Sequence, residues 1–285
     1  MITSQDAEIK QMQQWQRDWH KQSVEKLMAQ LSRIFIYPIK SLDGVEVRQT
    51  KILGGGALEN DREFAIVDKN GKYVNGKRTA KVHQIRSQFH LKARIVTLSV
   101  QNQNPVTFHL DHGRSGISGW LSHYFGFPVT LEQNTITGFP DDPISPGPTI
   151  ISSSTIKQVA SWFPEVEPEN LRIRLRTNLE ISDVPAFWED QLYSSTEPFA
   201  FQIGNVNFEG VNPCQRCVVP TRDPISGDAI AGFQKTFVTN RKEQLPTWAT
   251  VDRFNHFYRL AVNTRIAPSE AGKHLQVGDF VEAIN

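Results

Sequence analysis

Asn212-Pro213-Cys214-Gln215-Arg216-Cys217-Val218-Val219-Pro220-Thr221-Arg222-Asp223-Pro224 contains both cysteines of a 285-residue chain, beside two arginines. A thiolate is a soft metal ligand, and a flanking guanidinium favours the charged form of sulfur. Three chemistries fit this spacing: a ligand to a metal or metal cofactor, a redox dithiol, or two plain buried thiols. A Cys-x-x-Cys pair alone builds neither a four-cysteine zinc site nor an iron–sulfur cluster. A thioredoxin-like dithiol needs a βαβ setting and a helix starting at the motif, which Pro213, Pro220 and Pro224 oppose.

Three further clusters carry charge at the ends of predicted elements. Tyr37-Pro38-Ile39-Lys40-Ser41 follows the apolar run Arg33–Tyr37, and Glu59-Asn60-Asp61-Arg62-Glu63 enters another. In Leu171-Arg172-Ile173-Arg174-Leu175-Arg176-Thr177-Asn178, a strand would put the three arginines on one face. Side by side they repel unless carboxylates or a bound anion neutralise them. Either a solvated face with acidic neighbours or a phosphate cradle satisfies that requirement.

Other chemistry-bearing residues have simpler accounts. The eight histidines are scattered without helical metal-site spacing. His109 and His112 lie near a turn and are expected at the surface. Gly54-Gly55-Gly56 lacks the Lys and Ser/Thr of a phosphate loop and reads as a flexible turn. Ser152 to Thr155 precede a helical pattern, so a hydroxyl N-cap explains them better than a catalytic serine, which would need a Gly-x-Ser-x-Gly elbow.

The elements that must position these groups are mostly short strands. Glu63–Asp68 and Tyr73–Val74 flank Asn70-Gly71, a type I′ hairpin signal. Arg94–Val100 and Val106–Leu110 flank another turn. Gly138 to Pro148 is dense in Pro, Asp and Gly and reads as a linker or an ordered site loop. Leu175–Ile181 and Phe199–Phe208 read as strands, and Lys242–Leu260 as a segment including a helix. Leu275–Glu282 reads as a closing turn and strand. Residues 5–31 read as an amphipathic helix carrying Ile9, Met12, Trp15 and Trp19.

Composition narrows the function classes. Thirty-one basic against 30 acidic residues gives a net charge of +1, with no demand for nucleic acid or an anionic membrane. No apolar run reaches membrane-spanning length. Met1–Glu8 lacks a secretory pattern, so a cytoplasmic location and free thiols are expected.

In their order along the chain these clusters resemble proteins with an N-terminal MOSC β-barrel domain followed by a MOSC domain, such as the mitochondrial amidoxime-reducing component and its bacterial relatives. The motifs are Tyr37-Pro38-Ile39-Lys40-Ser41, Asp61-Arg62, Arg174–Asn178, Cys214-Gln215-Arg216-Cys217 with Asp223-Pro224, and Val277-Gly278-Asp279. The resemblance covers residues 32–285. It implies a mixed α+β, β-rich chain: an N-terminal helical extension over 1–31, a MOSC-type β-barrel or sheet domain over 32–137, and a β-barrel MOSC domain with flanking helices over 138–285.

The implied cofactor is a molybdenum-pterin cofactor, with Cys217 as the protein's metal ligand and no role for pyridoxal phosphate. Arg216 would sit beside the metal. Lys40, Ser41, Arg62, Arg176 and Asn178 map to cofactor-contacting positions at the anionic pterin end. Asp223 is a candidate acid or a turn former, and Cys214 has no required role. Departures are Pro220-Thr221, where the family often has Thr-Thr, and Thr177, where proline is common.

The resemblance implies an oxidoreductase that converts N–OH to N–H plus water on a small-molecule substrate. Electrons would come from a separate ferredoxin- or cytochrome-like donor with its reductase, since the chain carries no cysteines for a ferredoxin domain. The rival is a carrier of persulfide sulfur or of the cofactor, without turnover.

Overall fold

Leu31, Ile34 and Ile36 point inward from Gln30–Ile36 (β1), and a register shift between Leu31 and Arg33 lets Leu31 and Ile34 share one face. The computed structural model describes residues 29–284. Most of the helix expected over 5–31 lies outside that range. Its expected last residues do not: Gln30 and Leu31 are strand, because both are paired with β-structure across the chain.

Val45–Val47 (β2) continues from β1, and Gln49–Lys51 (β3) follows. Phe64–Asp68 (β4) is buried along its whole length. Its turn places Gly71 at φ +72, whereas Asn70 is not left-handed. The Gly71 amide bonds to the Asp68 carbonyl, and the Asp68 amide to the Lys72 carbonyl. This is a type I turn with a glycine bulge, not type I′, and Tyr73 pairs only as an isolated bridge to Val67.

Arg86–His90 (β5), Ile95–Ser99 (β6) and Val106–His109 (β7) form an antiparallel meander. Helix Arg114–Phe125 (α1) precedes Val129–Gln133 (β8), which pairs with β4. Ile66, Leu98, Ile117, Leu121 and Leu131 share one core among these elements.

Ile150–Ser152 (β9) leads into helix Ser153–Ala160 (α2), whose N-cap Ser152 accepts the Thr155 amide as expected. Helix Pro168–Leu175 (α3) follows, then Leu179–Ser182 (β10), parallel to β9. The arginine-rich segment is therefore a helix, not a strand. Pro168 takes the first-turn position it tolerates, and Leu171 and Leu175 are buried at i, i+4.

The span Phe199–Phe208, expected as strand, is broken by a turn at Gly204 (φ 58) into Phe199–Ile203 (β11) and the start of Val206–Gln215 (β12), which pair antiparallel. Helix Phe233–Glu243 (α4) lies mostly before the segment Lys242–Leu260 expected to include a helix, and between Glu243 and Arg259 that segment has a short 3₁₀ turn at Val251–Arg253. Arg259–Arg265 (β13), His274–Gln276 (β14) and Val281–Ala283 (β15) complete the strands.

Eight strands form one sheet in the order β15-β11-β12-β13-β9-β10-β1-β2. The sheet curls until its ends meet: Val281 N–H donates to Ala29 O at 2.8 Å, and Gln30 bridges Phe280. A barrel closed this way leaves no free edge at the join. Leu31, Ile181, Phe201, Phe208 and Val262 fill it. Helices α2, α3 and α4 pack outside through Val159, Leu171 and Phe237, with Phe163 and Phe233 stacked at 4.1 Å. β1, β2 and β3 thus come early in sequence yet pair within or against the late strands.

Candidate functional site

A cavity of about 400 Å³ is walled by the Lys40–Asp43 turn, the 75–86 segment, the 137–149 loop, the C-terminal end of α3 and the cysteine loop. Seven of the eight residues singled out from sequence line it: Lys40, Ser41, Arg62, Arg176, Asn178, Arg216 and Cys217. Eight lysines and arginines face it against four aspartates, so the interior is cationic.

Three of those residues adopt backbone conformations that L-residues avoid. Ser41 sits at φ 75, Arg62 at φ 48 and Arg176 at φ 55. Such strain persists only where surrounding contacts over-determine it, and it concentrates at functional sites. Arg176 is the left-handed C-cap of α3, its amide bonded to Arg172 O, so the helix end aims its side chain into the cavity.

Tyr37 organises the two arginines. The Arg176 guanidinium lies 4.3 Å from the Tyr37 ring centroid and that of Arg62 5.2 Å. Burial pushes the Tyr37 phenol up to about 12, against the pull of Arg176 and Arg62, so it stays neutral and donates to Thr177 O at 3.1 Å. Arg62 Nη1 pairs with Asp61 and donates to Asn178 Oδ1 at 3.2 Å, while its Nη2 donates to Arg176 O at 3.2 Å. Asn178 donates in turn to Phe35 O at 3.0 Å. Its amide positions Arg62 and joins β1 to β10.

The cavity wall is short of acceptors. Among the described residues, nine buried side-chain polar atoms lack a hydrogen-bond partner, and six belong to cavity residues: His83 Nε2, Arg86 Nε, Ser145 Oγ, Arg176 Nη2, Arg216 Nε and Arg222 Nε. Burial pulls Arg176 below the usual guanidinium range, and Arg62 adds to the effect. Burial, with Arg176 next, drives His83 down to about 4, so its imidazole is neutral at pH 7. Gly76 is glycine for a local reason: a Cβ there would lie 2.8 Å from His83 Nε2. This surplus of buried donors without protein partners fits a multiply charged anion.

The cysteine loop leaves β12 at Gln215, and both thiols are free and partly exposed. Arg216 Nη1 donates to Cys214 Sγ at 3.4 Å, while Cys217 Sγ receives the Val219 amide at 3.4 Å. The guanidinium expected beside Cys217 thus serves Cys214, because Arg216 Nη2 is anchored on Leu175 O.

Asp223 does not line the cavity. Its carboxylate accepts the Ile225 and Ser226 amides at 2.9 Å each and pairs with Arg174 at 3.4 Å. Burial works against its charge, but those amides and Arg174 hold it below the usual carboxylate range. These contacts fit the turn-forming alternative for Asp223.

The three arginines of α3 diverge rather than share a face. Arg172 pairs with Glu180 and Glu169 away from the cavity, whereas Arg174, which binds Asn170, Pro220 O and Asp223, and Arg176 both line it. Sequence reasoning missed Lys77, His83, Arg86, Asp141 and Arg222 as cavity residues. Arg222 lay inside the cysteine motif and Asp141 inside the expected site loop; Arg86 and His83 had no local signal. Gly54-Gly55-Gly56 is more constrained than a flexible turn, since a Cβ on Gly56 would meet Ile266 O at 2.7 Å. The His109 and His112 rings lie 4.6 Å apart and tilted by 32°, and neither residue lines the cavity.

A model of the MOSC N-terminal beta barrel domain matches residues 28–127, and a model of the MOSC domain matches residues 138–282. The molybdenum cofactor sulfurase of Homo sapiens is 22% identical over 246 residues, covering 69% of this chain and 27% of that protein. The molybdenum cofactor sulfurase of Drosophila yakuba is 28% identical over 295 residues, covering 92% of this chain and 35% of that protein. The chain therefore spans only 27% and 35% of the length of these two relatives. The solved YUAD protein from Bacillus subtilis aligns over 90% of this chain and 97% of its own, with 12% identity and a TM-score of 0.36. Among the described residues, no helix is long and apolar enough to cross a membrane.

Proposed function

The chain belongs to the MOSC family, and from that premise we propose that its cationic cavity binds a molybdenum-pterin cofactor and reduces N-hydroxylated compounds. The observation that carries the reading is that residues with unpartnered buried donors line the same cavity as two partly exposed thiols. Arg62, Arg176, Lys40 and Ser41 would hold the anionic end, and Cys217 would be the protein's ligand to the metal. Among the described residues, no group of three His, Cys, Asp or Glu could hold a metal ion, so further ligands would come from the cofactor.

When bound, the cofactor would supply the two-electron chemistry. The reaction takes N–OH, two electrons and two protons to N–H and water, with a separate donor protein supplying the electrons. The chain's residues bind and orient. The Tyr37 ring lies against both Arg62 and Arg176, Asn178 fixes Arg62, and Arg174 ties α3 to the cysteine loop.

A sulfur or cofactor carrier is the second reading, favoured by relatives named molybdenum cofactor sulfurase and by Arg216 lying on Cys214. The test is molybdenum and pterin per chain after expression in a cofactor-producing host, then hydroxylamine reduction with a chemical reductant. Equimolar metal and pterin, lost in Cys217→Ser, together with turnover supports the reductase. Cofactor without turnover favours the carrier, and absence of both sinks the cofactor site.

A further inference from the structure

The cavity already contains an anion of its own. Asp141 Oδ1 accepts from Lys40 Nζ at 2.7 Å and lies 3.6 Å from Lys77 Nζ. Lys40 is the fixed partner: its side chain is 7% exposed, its ammonium also donates to Phe139 O at 2.8 Å, and it lies 5.5 Å from the Tyr73 ring. Asp141 is the outer partner, its side chain 60% exposed on the 137–149 loop. The adjacent Asp142 is tied down separately. Its carboxylate accepts the Ile144 amide at 3.0 Å and Asn263 Nδ2 at 3.3 Å, so the loop keeps its anchor without Asp141.

We infer that Asp141 sets the charge selectivity of the cavity, holding Lys40 and Lys77 with an internal carboxylate that only an anion of higher charge displaces. The physical argument is one of exchange. A monoanion replacing Asp141 swaps one carboxylate-like contact for another and loses binding entropy, so it gains nothing. A pyrophosphate or phosphate-ester dianion has the charge and acceptors to take the same ammonium and to pair as well with unpartnered donors of Arg176 and Arg216, which line the same cavity. An exposed carboxylate is worth little to the fold, so the exchange is cheap for the right ligand.

This selectivity rests on the anion-binding half of the reading above and is independent of the reductase chemistry. Calorimetric titration of the full chain, purified from a host lacking the cofactor, tests it with pyrophosphate, inorganic phosphate and acetate. Asp141→Asn should bind pyrophosphate roughly threefold to fivefold more tightly than the unmodified chain and should gain acetate binding. Asp141→Glu, which keeps the charge, should restore discrimination against acetate, and Lys40→Gln should weaken pyrophosphate binding with or without Asp141. Thermal melts identify any variant that has lost its fold, and the Asp141→Glu arm then carries the comparison. Pyrophosphate binding unchanged or weakened in Asp141→Asn would overturn the inference. No pyrophosphate binding by any folded variant would instead remove the anion site itself, and the inference with it.

Discussion

Replacing Arg172 by leucine tests what holds α3 against the barrel. Arg172 Nε and Nη2 donate to both oxygens of Glu180 at 2.6 and 2.9 Å, and the Glu180 side chain is only 3% exposed. With Arg172 gone, that carboxylate keeps only the Ser153 hydroxyl at 2.7 Å. Breaking a buried pair by removing one partner costs about 3–5 kcal/mol, because an uncompensated charge remains. For a chain of this size each kcal/mol moves the melting temperature by about 2–4 °C, so the drop should be roughly 10 °C. Urea unfolding followed by tryptophan fluorescence gives the free energy directly. Arg172→Leu with Glu180→Gln should recover most of the loss, since the neutral amide still accepts from Ser153. A single variant within about 1 kcal/mol of the parent, or a double no better than the single, would refute the argument.

Arg174→Leu should cost less, about 1–3 kcal/mol, because Asp223 keeps its two backbone donors while Pro220 O loses one; the same urea series checks the ranking. Tyr37→Phe should cost about 1 kcal/mol through the lost bond to Thr177 O, whereas Tyr37→Leu should also weaken pyrophosphate binding by removing the ring against which Arg62 and Arg176 lie. Gly210→Ala should fail to give soluble folded protein, since its Cβ would lie 1.5 Å from Leu192 O. Burial, reinforced by Asp190, raises the Glu189 carboxyl to about 7. The folded state therefore holds the proton more tightly, and this contribution to stability is present below the ordinary carboxylate range and lost as pH rises through about 7. Glu189→Gln should flatten that part of the stability profile; an unchanged slope between pH 5 and 8 would refute it.

The site was legible because its parts are local motifs: each charged cluster sits at the end of an element, and those ends converge on one cavity. The Ser152 cap and the β6–β7 hairpin were legible for the same reason, since neighbours in sequence decide them. The Arg172–Arg176 segment misled because arginines at every second position imitate a strand. The deciding signals were Pro168 and the i, i+4 pair Leu171 and Leu175. Helix α4 was missed because it buries only Phe233, Phe237 and Arg241, a stripe one residue wide that ends in a charge. That charge is legible only in three dimensions, where Arg241 pairs with buried Asp190 and lies 4.4 Å from the Phe187 ring. The pairing of β1 with β10 and of β3 with β14 had no sequence signal, because contacts between distant segments leave no period.

The closure of the barrel bears on how the protein is made. Leu31 N–H donates to Asp279 O, and Gly278 N–H to Leu31 O, each at 2.8 Å. A chain emerging residue by residue cannot form these bonds until residues 278 and 279 have left the ribosome. Before then the Ala29–Leu31 end of β1 lacks its partner on one side, and β3 lacks β14. Contacts this distant in sequence slow folding and leave strand edges exposed meanwhile. Tyr37 and Lys40 follow directly from β1, so the cavity is a late product of synthesis. An excised segment covering only residues 138–282 would leave β10 without β1, and should be recovered as aggregate rather than as a small working unit.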